Sequence, residues 1–486
     1  MRSGLKRNGA GLAVGGLLGA WLLACGGSAT EGMSALEQGT APPTQVSVDL
    51  SSADIRTRLE AIDGLVILSE VEANGFRFFT MDFEQPVDHL RPWGPRFPQR
   101  VTLMHRSVDA PMVLDTEGST LYAEPVPAEP TDLIQGNQLT VEHRFFGSSR
   151  PAGALDWRKL TVWQSAADAH RLVEVFKPLY GGRWLSTGVF KGGTAALAHR
   201  FFFPNDVHAT VTYAAHHNRG LHDARHGRYV LTKVGEAACR QQLASLQYAA
   251  LTRRDELLPL MNGYDAQGFT FGVLGKDRAL EFGIIEAPFV FWQFYGAAGT
   301  CDALPSPEGS AEELFGFFSY VSMMEFTFSD QALEASAPLY YQGATQLGGP
   351  GFPEVHLLPL LRYAGEHLPT RFPPGGVRKT YEPWTLGLVE SWTRFEAKRV
   401  LLVYGDLSPW AASAFSTTPG NDAYRVIADD SIGFYGTLGA LPEPQRSFLL
   451  GRLSEWADAP VQLPTGGAAL RLQGASDAHL KAYRAR

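Results

Sequence analysis

Apolar and polar residues alternate with a period of two in "RFFTMDFEQPVDH" (Arg77–His89), "QRVTLMHRS" (Gln99–Ser107) and "APMVLDTEG" (Ala110–Gly118). Alternation rich in Val, Phe and Thr and closed by turn residues predicts strands. "NQLTVEHRFFGSSRP" (Asn137–Pro151) predicts a further strand ending in a polar loop. In "TVWQSAADAHRLVEVFKPLY" (Thr161–Tyr180) the positions Val162, Ala166, Ala169, Leu172, Val173 and Phe176 instead fall at helical spacing. A short strand at Trp184–Leu185 then runs through Gly188-Val189-Phe190-Lys191-Gly192 into a small-residue helix, and "HATVTYAAHHN" predicts a strand again. This rhythm predicts an α/β fold with a mainly parallel sheet.

From residue 221 to about 385 the pattern becomes helical and aromatic-rich, as in "GIIEAPFVFWQFYG" and "EELFGFFSYVSMMEFTF". The strand signature returns at "KRVLLVYGDLSPW" (Lys398–Trp410), and "QRSFLLGRLSEWAD" predicts a closing helix. The expected organisation is a sheet core in two parts, 51–220 and 386–486, interrupted by a helical cap insertion at 221–385. That is the architecture of a capped α/β-hydrolase.

The N-terminus carries a different pattern. Arg2, Lys6 and Arg7 precede an apolar run from Gly11 to Ala24, too short for a bilayer span and suited to a signal-peptide core. The run ends in Leu22-Leu23-Ala24-Cys25, which resembles the lipobox of bacterial lipoproteins. Residues 1–25 are therefore expected to be a signal peptide ending at an acylated Cys25, and residues 26–50 a flexible polar tether. The expected location is the periplasmic or cell-surface side, with the protein anchored to a membrane. Cys239 and Cys301 then remain as a pair in an oxidising compartment, either joined in a disulfide or buried as two free thiols.

Composition narrows the partners. With 45% hydrophobic and 19% charged residues the 486-residue chain is globular, and its net charge of −8 excludes nucleic acid as the main partner.

The candidate chemistry lies at Gly188–Gly192, which matches the nucleophile turn G-x-S-x-G except that Phe190 occupies the serine position. Together with "QPVDH", "QRVTLMHR", "VEHRFFGSSRP", "STGVFKGGTAALAHRFFFPNDV" and "VYGDLSPW", it resembles the secreted, streptomycete-type tripeptidyl aminopeptidases. These are serine peptidases related to the prolyl carboxypeptidases. The resemblance implies a Ser–Asp–His triad, and position by position that triad falls on Phe190, Ser408 and, within two residues, Ile432. A phenyl ring has no lone pair to attack a carbonyl and isoleucine cannot carry a proton. Loss of triad members costs about 10⁴–10⁶ in turnover. The expectation is a catalytically inactive homologue that binds a peptide or protein in the former cleft; the competing expectation is a working hydrolase with a relocated constellation. No cofactor is implied.

The resemblance also places an oxyanion loop at Phe145 and Phe146, with the Lys191 N–H as second donor. Glu142 would either receive a peptide's amino terminus or join His143 and Arg144 in a structural ion-pair network. His217 is a second peptide-binding candidate, and His216 or His217 with Asp406 offers an alternative acid–base pair. His216, His217, His222 and His226 also suggest a metal, although solvated loop histidines are commoner, and no metal site is assigned.

Overall fold

The computed structural model describes residues 54–463 apart from 297–299, 374, 378 and 433–435. The expected signal peptide, Cys25 and the whole tether lie outside the described residues, as do 433 and 434 of the base-position window. The described residues all fall within one compact unit.

Its centre is a nine-stranded sheet of β1 (Leu65–Ala73), β2 (Phe76–Pro86), β3 (Arg96–His105), β4 (Met112–Thr116), β5 (Asn137–Val141), β6 (Trp184–Val189), β7 (Ala209–Tyr213), β8 (Val400–Gly405) and β9 (Ala423–Ala428). The spatial order is β1-β2-β3-β5-β4-β6-β7-β8-β9. The first three strands and the β3–β5 pair run antiparallel; from β5 to β9 every pair is parallel. This is the α/β-hydrolase fold. Parallel strands are buried on both faces, and accordingly β5, β7 and β8 are buried at every position.

β1 and β9 carry no clear strand signature in the sequence. The β1–β2 hairpin turns on Asn74-Gly75, both with positive φ (53° and 80°), as a two-residue turn requires.

Helix Val162–Phe176 buries Leu172, Val173 and Phe176 against β2, β3 and β4. The Arg144 guanidinium, fully buried after β5, meets Asp168 on this helix through Nε–Oδ2 at 2.6 Å and Nη2–Oδ1 at 2.7 Å. Burial alone would raise the Asp168 carboxyl, but the Arg144 charge and hydrogen bonds hold it below the ordinary carboxylate range.

Between β7 and β8 the chain is helical, with long helices at Ala237–Thr252, Lys276–Phe294 and Ala311–Ser322. Phe289, Phe291 and Trp292 are core residues of this cap. Pro288 inside the second helix has no N–H for the carbonyl of Ile284. The Gln247 amide of the first helix donates to that carbonyl at 2.7 Å.

Cys239, on the first helix, and Cys301 are joined by a disulfide across 62 residues. Such a link restricts the unfolded cap, and its loss typically costs about 2–4 kcal/mol. The double variant Cys239→Ser, Cys301→Ser should lose about that much in urea denaturation, and non-reducing peptide mapping of the native protein should recover the pair as one species.

Candidate functional site

The parallel strands end at one edge of the sheet, where sites of α/β proteins form. β6 leads directly into helix Lys191–Phe202, and Phe190 stands between them with φ 51° and ψ −120°. Its N–H donates to the Tyr213 carbonyl at 2.9 Å, and its carbonyl accepts from Thr194 N at 3.1 Å. A side chain at position 188 would place Cβ 2.5 Å from the Gly192 carbonyl carbon, and one at 192 would collide with the Thr116 carbonyl. The sharp elbow is thus fully formed. It displays a phenyl ring where a nucleophile would stand.

That ring lies 6.2 Å from the Trp410 ring, and Trp410 also stacks on His216 at 4.1 Å and meets His226 at 5.2 Å and Phe289 at 5.1 Å. Elbow, acid-position loop and cap therefore meet in one aromatic cluster. Ser408 is fully buried just before the short helical turn Pro409–Ser413, and its Oγ makes no hydrogen bond to a described residue. Ile432 is buried in the same apolar cluster as Leu407. The two loops are joined through backbone instead: Leu407 N–H donates to Ser431 O at 3.0 Å and Ser431 N–H to the Asp406 carboxylate at 3.1 Å.

Three expected assignments change. The N–H groups of Phe145 and Phe146 donate within their own loop, to Ser149 O at 2.7 Å and His143 O at 3.1 Å, so neither faces a reacting carbonyl. The loop that meets the elbow follows β4 instead: a Cβ on Gly118 would lie 2.8 Å from Gly192 N. In the hydrolase arrangement that loop supplies an oxyanion donor beside the residue after the nucleophile, here Lys191. The Lys191 amine donates to the Gly118 carbonyl and lies 4.7 Å over the Phe146 ring, and burial pushes it well below the ordinary amine range. Asp115 and Glu117, at the end of β4 and just beyond, are both pushed up by burial.

Glu142 is occupied as well. Its carboxylate accepts from Leu121 N–H at 3.0 Å, Ser149 N–H at 2.9 Å and the Ser149 hydroxyl at 2.6 Å. It pins two loops together. Arg144 takes Asp168 as its partner, not Glu142.

The Asp406 carboxylate accepts from Ser431, whereas His216 lies on Trp410 and His217 on Phe415 with ring centroids 5.7 Å apart. Both nitrogens of His226 face protein partners, Asn218 Oδ1 at 2.9 Å and Pro409 O at 3.1 Å. Among the described residues no group of three or more His, Cys, Asp or Glu is arranged to hold a metal.

Burial, aided by neighbouring His226, pushes His216 down to about 3. Its Nδ1 makes no hydrogen bond to a described residue. The unfolded chain protonates this ring below about 6.5 while the folded one does not until about 3, so stability falls as pH drops through that window. His216→Phe keeps the stack and removes the proton site. Thermal melts should show the variant gaining on the parent protein by roughly 1 kcal/mol per pH unit between pH 6 and pH 4.

Comparison with known proteins places the chain in a family. Residues 48–484 match the PS-10 peptidase S37 family. The chain is 36% identical over 437 residues to the prolyl tri/tetrapeptidyl aminopeptidase of Streptomyces mobaraensis, covering 88% of this chain and 90% of that one. Similar solved structures include the proline iminopeptidase of Mycobacterium smegmatis, with a TM-score of 0.35 and 10% identity, covering 77% of this chain and 98% of that one. Another is the peroxisomal α/β-hydrolase Lpx1 of Saccharomyces cerevisiae, with a TM-score of 0.32 and 12% identity, covering 84% and 99%. A chain with this sheet, this elbow and this breadth of likeness belongs to the PS-10 peptidase S37 family.

Proposed function

We propose that this member of the family has exchanged catalysis for binding. It is an exported lipoprotein that takes a peptide or protein ligand against the aromatic cluster at the former catalytic edge. The observation that carries this reading is the elbow itself, which keeps its nucleophile-displaying backbone while Phe190 docks its ring on Trp410. Ser408 and Ile432, buried at the acid and base positions, supply neither a carboxylate nor an imidazole. The relative from Streptomyces mobaraensis suggests the ligand class, a proline-containing peptide with a free amino terminus.

Purified protein should release no product from N-terminally free Xaa-Xaa-Pro substrates, while calorimetry detects binding of the same peptides. Phe190→Ser alone should stay inert, because a lone hydroxyl has no base. The triple variant Phe190→Ser, Ser408→Asp, Ile432→His should gain weak turnover. Fluorophosphonate labelling of the unmodified protein between Ser186 and Thr194 would defeat the proposal.

The anchor is tested separately. Cys25→Ser should abolish fatty-acid labelling and move the protein from membrane to soluble fractions. Unchanged membrane association in that variant removes the lipoprotein part of the reading and leaves the rest standing.

A further inference from the structure

We propose that the turn between β2 and β3, residues 87–95, is a membrane-contact tip that seats Leu90 and Trp93 among the head groups of an anionic lipid surface. Trp93 is the most exposed large apolar side chain among the described residues, at 82%, and Leu90 on the same turn stands at 69%. Single exposed apolar residues are ordinary. Two of this size on one short turn mark a surface that meets something.

The turn beneath them is braced. Val87 N–H donates to Pro95 O and closes its base, while Arg91 N–H donates to Asp88 O and Gly94 N–H to Arg91 O, each at 2.9 Å. Pro92 and Pro95 fix two of its φ angles. The Asp88 carboxylate accepts from Lys159 Nζ at 2.6 Å and from the Gln164 amide at 2.8 Å, and His89 Nε2 lies 2.7 Å from the Asp168 carboxylate. Backbone and base are held while the two largest side chains stand in solvent, so little backbone ordering is left to be done on contact.

Charge and size choose the occupant. Arg91 and Arg96 flank the apolar pair, and both are exposed. Arg96 lies 3.2 Å from Glu84, whereas Arg91 makes no ion pair with a described residue, and the turn's own acid, Asp88, is neutralised by Lys159. On a chain of net charge −8 this tip is locally basic. Anionic head groups attract its guanidinium groups, and the interface is where an indole ring is favoured. Two side chains are far short of the roughly 800 Å² per partner that a stable protein interface buries. A lipid surface needs no matching shape and takes them as they are.

β3 runs antiparallel to β5, so its start at Arg96 lies at the carboxyl edge of the parallel strands. The tip therefore projects from the edge that carries the elbow, and a chain seated by it meets its ligand beside the bilayer. Two side chains bind weakly and reversibly, so the tip orients a protein that the lipid anchor retains, and loss of the anchor still releases it. That orienting role rests on the lipoprotein reading; the contact itself does not.

The chain from residue 26 onward keeps the whole compact unit and carries neither signal peptide nor acyl group, so its behaviour is independent of Cys25. At low salt it should sediment with millimolar vesicles of equal parts phosphatidylcholine and phosphatidylglycerol. Leu90→Ala with Trp93→Ala should weaken that partition about 10-fold or more, and Arg91→Glu about 5-fold or more. Val71→Asp, which alters an exposed side chain at the opposite end of the outer strand, should leave it unchanged. Thermal melts matching the parent protein verify the fold of each variant. Failure of the parent to sediment, or sedimentation of the double variant at the parent level, would overturn the proposal. Lipid-free self-association of the parent that the double variant abolishes would also overturn it, by assigning the tip to a second copy of the chain.

Discussion

The first turn of the elbow helix approaches the neighbouring strand so closely that positions 188 and 192 have room only for hydrogen. Any Cβ there meets the helix backbone or the Thr116 carbonyl. Thr116 clamps the crossing from below, its hydroxyl directed at the carbonyls of Thr187 at 3.2 Å and Gly192 at 2.9 Å. The chain must then turn within one residue, and that residue takes a positive φ whatever its side chain. A non-glycine residue so placed costs about 1–3 kcal/mol. The surrounding backbone bonds impose that conformation, and a side-chain hydroxyl has no part in them. This is why the two glycines persist around a phenylalanine: they hold helix on sheet, a folding task that outlives the chemistry.

The other two triad positions follow the same logic. In a working triad the acid–base hydrogen bond ties the loop after one strand to the loop after the next. Here the loops after β8 and β9 are tied by Leu407–Ser431 and Ser431–Asp406 instead. Apolar contact between Leu407 and Ile432 completes the join. The edge of the sheet is thus held by backbone and packing, and residues 190, 408 and 432 are free to be aromatic, small or aliphatic.

Much of this was legible in the chain. Period-two alternation located the strands around Met81, Val101 and Leu114, and helical spacing located the helix containing Leu172. Glycine spacing located the elbow, because its constraint is local. What the chain hid was spatial order. β5 follows β4 in sequence but lies on its far side, so that β4, not β5, adjoins the elbow strand. The oxyanion loop was accordingly expected at Phe145 and Phe146 when the segment against the elbow is Glu117–Gly118. Glu142 leaves its two readings open for a related reason. Its hydrogen-bond partners, Leu121 and Ser149, are set by the fold and cannot be read from the chain. β1 was missed although Asn74-Gly75 marks its turn, because Val66, Leu68 and Val71 leave an outer edge strand that is half apolar and half exposed.

Electrostatics around the elbow draw these strands together. Burial holds Lys191, His143 and His216 toward their neutral forms and pushes Asp115 and Glu117 the same way. An interior that suppresses both signs of charge is a poor setting for a relay that must develop an imidazolium, unless a carboxylate is placed to stabilise it. At Ser408 no such carboxylate exists. Restoring the nucleophile alone would therefore return a hydroxyl to a dry, uncharged surround. The site that lost its charged groups lost its mechanism.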